Sequence, residues 1–175
     1  NLFENVRKQG ALNLDGNSWA EVHDNASLDI SPAMTMECWA KTYDTTSSTA
    51  HIFVKSSGSW NFPYGRFVLR LTDNNLQWWF DSFSNNDSIS STSSEWYHFV
   101  VTKNGTSEIL YINGVQAGTN TGAATITASD YPLYIGRADV GEYYKNQLAQ
   151  PRIYNRALTA EEIQRNYNAG KNIYS

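Results

Sequence analysis

One stretch of this 175-residue chain carries the punctuation of a helix, and it lies near the end, between Leu148 and Tyr167. Its first half has strand character and closes on Ile153-Tyr154. Thr159 is then placed as an N-cap, and Glu162, three residues on, completes a capping box. Leu158 and Ile163 are spaced to pack as a hydrophobic staple. Glu161 and Glu162 sit at the positive end of the helix dipole. Ile163 and Tyr167, four apart, share one face, and Gly170 is expected to stop the helix. The other patterned segments alternate with period two. The chain is therefore expected to be a β structure with one short helix clamped onto it.

The alternation is strictest from Met34 to Lys41: Met34, Met36, Cys38 and Ala40 face one way, Thr35, Glu37, Trp39 and Lys41 the other. One set should meet the core and the other a partly exposed surface. Trp39 then either lines a concave sheet face or is covered by loops and neighbouring strands. Ala11–Leu14 and Trp19–Val22 read as strands around an Asp15-Gly16-Asn17 turn. Leu28 and Ile30 alternate before Ser31-Pro32. Phe67, Leu69 and Leu71 oppose Arg66, Val68 and Arg70, and Leu76, Trp78 and Phe80 oppose Gln77, Trp79 and Asp81. Residues 85–95 read as polar and turn-like. Lys103-Asn104-Gly105-Thr106 and Asn113-Gly114 are hairpin turns, so residues 96–117 should form a meander. Residues 119–129 read as a loop, and residues 1–10 as an arm or edge segment. No repeat or linker interrupts the chain, so residues 1–175 are expected to form one domain.

Charge and cysteine usage remove several function classes. The formal net charge is −4 with no basic block, which argues against duplex nucleic acid. No apolar run is long enough to cross a bilayer as a helix. The single cysteine, Cys38, excludes an internal disulfide and a thiolate zinc cluster, and its place in the alternation reads as a buried small hydrophobe.

The candidate binding residues are aromatics in polar surroundings. Trp60 and Tyr64 stand in the loop Ser56–Gly65, where three aromatics require a reason. They either form a platform for sugar rings or fold back to seal the rim. Trp79 shares a sheet face with Gln77 and Asp81, which suits a glycan subsite with Arg70 and Gln77 as hydrogen-bond donors, or else a Trp covered by a loop. The segment Ala138–Tyr144 is a second rim, with Asp139, Tyr143 and Tyr144 as its candidates. His98, within a strand between Tyr97 and Phe99, reads as a packed, hydrogen-bonded histidine.

Four stretches taken together resemble the LamG-like domains of the concanavalin A-like lectin/glucanase superfamily. They are Ala11–Gly16, Met34–Lys41, Trp96–Thr102 with Leu110–Gly114, and Ile153-Tyr-Asn-Arg-Ala-Leu-Thr-Ala-Glu-Glu-Ile163. The resemblance implies an antiparallel β-sandwich of jelly-roll type with a C-terminal helix. It implies recognition without catalysis: a glycan-binding or adhesion module on a secreted, cell-surface or virion-surface protein. The alternative is a structural decoration or assembly protein that contacts protein rather than sugar. The ending Asn166-Tyr-Asn-Ala169 resembles such domains in phage structural proteins. The family's hydrolases resemble one another in a strand motif of closely spaced acids. A laminarinase-like hydrolase is disfavoured because Glu37 and Asp81 each stand alone on their strands, whereas retaining hydrolysis needs two carboxyls about 5 Å apart. Many relatives hold calcium with acids where this chain has Ala149 and Gln150. No cofactor is expected, and Asp15, with backbone carbonyls, is the candidate ligand should calcium bind. Pro151 hints at a bulge or an edge.

Overall fold

A computed structural model describes residues 10–43, 45, 48–56, 65–88, 94–138 and 141–174, with residues 65, 66 and 82–88 described by backbone alone. Among these, two six-stranded antiparallel sheets face each other. Numbered along the chain, the first sheet runs β1 (Ala11–Asn13), β12 (Gln147–Tyr154), β3 (Ala33–Lys41), β8 (Trp96–Asn104), β9 (Ser107–Ile112) and β10 (Val115–Thr121). The second runs β2 (Ala20–Val22), β11 (Leu133–Ile135), β4 (Thr49–Ser56), β5 (Gly65–Thr72), β6 (Asn75–Phe80) and β7 (Ser82–Ser88).

The period-two reading places the core correctly. Met34, Met36, Cys38 and Ala40 from β3 meet Phe67, Leu69, Leu71, Trp78 and Phe80 from β5 and β6 in one buried cluster. Burial also pushes the Cys38 thiol far up, which leaves it unreactive. The meander forms as β8, β9 and β10. Asn113 and Gly114 both take positive φ, 53° and 78°, as a two-residue hairpin turn requires.

Local pattern misleads at four places. β1 and β2 are not a hairpin: β1 pairs with β12 and β2 with β11, so the Asp15-Gly16-Asn17 turn carries the chain from one sheet to the other. Leu28 lies in a 3-10 turn, Ala26–Leu28, capped by the Asn25 side chain. The polar residues 82–88 form edge strand β7, which needs no apolar alternation for its backbone to pair. Residues 119–121 extend β10 into the expected loop.

Helix α1 (Ala160–Tyr174) begins as its punctuation dictates. The Thr159 N–H donates to Glu162 Oε2 at 2.9 Å, and the Glu162 N–H donates to Thr159 Oγ1 at 3.3 Å. The Arg156 guanidinium and the Thr159 N–H hold the Glu162 carboxyl down to about 2. Leu158 and Ile163 join one buried cluster with Val100 and Tyr111, as the staple requires. Gly170 does not end the helix, which continues for another turn. A Cβ there would collide with the indole of Trp39, so Gly170 is a packing residue.

That collision shows what α1 covers. Trp39 is 2% exposed, stacked on Tyr167 with centroids 5.6 Å apart and tilted against Tyr174 at 5.2 Å. It is therefore a covered residue on the outer face of the first sheet and lines no open surface. Beside it the buried Glu37 carboxylate receives His98 at 2.9 Å, Tyr154 at 2.8 Å, Arg152 at 3.2 Å and Asn166 at 3.1 Å. Burial raises the Glu37 pKa, but the bonds from His98 and Tyr154 with the adjacent positive charge outweigh it and hold the group below the usual range. Pro151 falls in a bulge between Ala149 and Arg152, with Gln150 at φ 48°.

Candidate functional site

Helix α1 packs over one outer face of the sandwich, and the candidate site lies on the other. The outward residues of the second sheet form two rows in register. Tyr134, Val54, Val68 and Trp79 are successive cross-strand partners along β11, β4, β5 and β6. One pleat repeat away, His51, Arg70 and Gln77 are successive partners along β4, β5 and β6. A bulge in β4 sets both rows, because Ile52 and Phe53 both turn into the core and leave His51 and Val54 outward. An apolar row thus lies beside a polar one, with Ala138 closing the apolar cluster.

The polar row is tightly organised. Arg70 donates from Nε to Gln77 Oε1 at 2.8 Å, and its guanidinium lies 5.0 Å from the centre of the Trp79 ring. His51 Nδ1 is 3.3 Å from Glu142 Oε2. That spacing would suit an ion pair, but burial, aided by the charge of Arg70, pushes the His51 pKa down to about 3. Near neutral pH the contact is therefore a neutral imidazole against an acid. Burial raises the Glu142 pKa, and Arg70 opposes that rise.

The rim stretch, described at residues 136–138 and 141–144, meets this face through Ala138 and Glu142. Its ends are tied by Tyr144 N–H to the Gly136 carbonyl at 2.8 Å and Ala138 N–H to the Glu142 carbonyl at 3.0 Å. Arg137 bridges Tyr143 in a short antiparallel pair. Its guanidinium lies 4.3 Å from the centre of the Trp19 ring and 4.6 Å from that of Tyr134. Trp19 in turn meets Tyr143 at 6.0 Å, the rings tilted by 46°.

Arg70, Gln77 and Trp79 therefore come together as their alternation predicts. Trp79 is only 9% exposed, however, and serves as part of the floor. Tyr143 lies at the rim. Tyr144 does not: it is 0% exposed, meets Tyr43 edge-on and donates its hydroxyl to the Lys41 carbonyl at 2.7 Å. Its place next to Tyr143 turns it to the opposite side of the chain, into the core. Trp60, Tyr64 and Asp139 lie outside the described residues. The Asp15 carboxylate accepts from Asn17 N–H at 2.9 Å and Ser18 Oγ at 2.8 Å, which lowers its pKa and shapes the sheet-to-sheet turn. Among the described residues no three of His, Cys, Asp and Glu group as metal ligands.

Sequence reasoning missed Trp19, His51, Tyr134, Arg137 and Glu142 as members of this face. A signal existed for Trp19: it alternates with Ala20, which packs against the core, so Trp19 and Glu21 face outward. The others needed the rim and the bulge to be known.

The family model described as concanavalin A-like lectin/glucanases superfamily matches residues 14–164. No curated protein sequence matches the chain. Among solved structures the chain is similar to the binding domain of Paraclostridial Mosquitocidal Protein 1, at 21% identity and a TM-score of 0.71, covering 91% of this chain and 42% of that one. It is similar to the serotype D botulinum neurotoxin ligand-binding domain in complex with N-acetylneuraminic acid, at 16% and 0.71, covering 91% and 41%. It is also similar to a botulinum neurotoxin type C structure whose cell entry depends on interaction with two ganglioside molecules, at 16% and 0.64, covering 86% and 39%. The chain spans less than half the length of each.

Proposed function

The chain belongs to the concanavalin A-like lectin/glucanase superfamily, and we propose that it is a non-catalytic carbohydrate-binding module of a secreted, cell-surface or virion-surface protein. The observation that carries this reading is the pair of rows on the second sheet. Sugar sites combine an apolar surface with a few fixed polar groups, and this face sets half-buried Arg70 and Gln77 on a floor that includes Tyr134 and Trp79, with Trp19 exposed at its β2 edge. The ligands named for the similar toxins, gangliosides and N-acetylneuraminic acid, support a sugar partner. Binding is favoured over hydrolysis because the described carboxyl beside Arg70 is Glu142, set against a neutral imidazole rather than a second acid.

The test is a glycan array probed with the whole chain, in calcium and again in chelator. The expected result is a restricted set of glycans bound, and weaker binding in Arg70→Ala. The Trp60→Ala and Tyr64→Ala variants extend the test to the aromatic loop. Binding that survives chelator removes calcium, and with it the Asp15 ligand role. A second reading, an assembly protein contacting protein, is favoured by the exposed apolar residues Leu12 and Val22 on edge strands β1 and β2, 37% and 44% exposed. A folded chain silent on the array but self-associating in sedimentation would establish that reading instead.

A further inference from the structure

We propose that the ring on which the sugar stacks is Trp19, not Trp79, and that the ligand seats a single pyranose over the β2 end of the face. This rests on the carbohydrate-binding reading above. Trp79 and Tyr134 are each 9% exposed, so their rings have little surface left to give a ligand. Trp19 is 41% exposed, the most exposed tryptophan among the described residues. It immediately precedes β2 and shares its side with Glu21, the partner of outward-facing Tyr134.

Surface aromatics are common, so exposure alone would not carry this. The ring is also held. The Arg137 guanidinium contacts both Trp19, at 4.3 Å, and Tyr134, at 4.6 Å, which anchors the exposed ring to the buried row. Tyr143 flanks it at 6.0 Å from the bridged strand opposite Arg137. A ring fixed before binding loses little conformational entropy when a ligand arrives. The Arg137 guanidinium stands against the ring as a polar, charged neighbour. A flat apolar ring with a guanidinium donor beside it matches a pyranose, whose C–H face is apolar and whose edge carries hydroxyls. The 46° tilt between Trp19 and Tyr143 gives a platform with a side wall, not two parallel plates. It therefore suits one ring stacked on one face.

The experiment titrates lactose, 3′-sialyllactose and laminarihexaose into the full chain and into Trp19→Ala and Trp19→Phe, with melting curves for each. If the inference holds, at least one sugar binds, Trp19→Ala weakens it by about tenfold or more while melting close to the parent, and Trp19→Phe retains most of the affinity. Binding by Trp19→Ala at the parent affinity overturns the inference and leaves the carbohydrate-binding reading standing. If the parent binds none of the three sugars and nothing on the array, both fall. Should Trp19→Ala not fold, the indole N–H resonances of the parent decide. A sugar that shifts the Trp19 signal supports the inference, and one that shifts other indoles but not Trp19 overturns it.

Discussion

Trp79 and Trp19 both look outward on the second sheet, yet they differ in what removal should cost. Trp79 is 9% exposed, packed with Val54, Val68 and Tyr134, so Trp79→Ala should lose about 3–5 kcal/mol of stability by leaving a cavity. Trp19→Ala should lose about 1 kcal/mol or less, the scale of an exposed cation–π contact. Urea unfolding of both variants checks the contrast, and equal losses would refute it. His51 adds a pH dependence of defined sign. Its folded pKa, pushed to about 3, lies below its ordinary 6.5. Between those values the unfolded chain takes up a proton that the folded chain refuses, so stability falls as pH is lowered through that window. Above it this group contributes its full stabilisation, and stability does not change with pH on its account. His51→Gln should flatten the slope of unfolding free energy against pH across the same window. At this scale the sequence showed which residues share a face, because alternation reports direction. It did not show exposure: Trp79 and Trp19 obey the same alternation, and only their neighbours across the sheet separate them.

Helix α1 is an element whose start was legible and whose end was not. The capping box is local, four residues that satisfy one another, and it forms as read. Gly170 carries a stop signal by local rules, but a tertiary contact with Trp39 overrides it. That gives a prediction with an unusual sign. In an exposed helix Gly→Ala gains about 1 kcal/mol, whereas Gly170→Ala should lose about 1–3 kcal/mol, because the added methyl must displace the indole. A higher melting temperature for that variant would show that the helix does not press on Trp39 as described. The same element holds Glu37 through Asn166. Glu37→Ala should cost on the order of 3–5 kcal/mol, since it leaves His98 and Arg152 without their buried carboxylate; chemical denaturation measures it. Strand β7 makes the converse point. Its residues lack the apolar alternation by which strands are recognised, yet the free edge of β6 pairs with them.

Across the whole molecule the two outer faces divide the work. The first is sealed by α1 and serves stability; the second carries the candidate site. Changes at Gly170 and Glu37 should therefore lower the melting temperature without altering sugar affinity, and Trp19→Ala should do the reverse. Melting curves and titrations on one set of variants check this, and any helix-side variant that folds yet loses sugar affinity would show the faces to be coupled. The sequence by itself determined the alternating sheet-forming segments, though not β7, along with their inward residues, the meander and the start of the helix. Each of these depends on neighbours within a few positions, through side-chain period, turn conformation or capping. Only the tertiary structure decided that β1 and β2 belong to different sheets, that Trp39 and Tyr144 are covered, and that Trp19 meets Arg137 and Tyr143. Those outcomes depend on which segments far apart in the chain are brought together, and burial is a property of that assembly rather than of any residue's own surroundings in sequence.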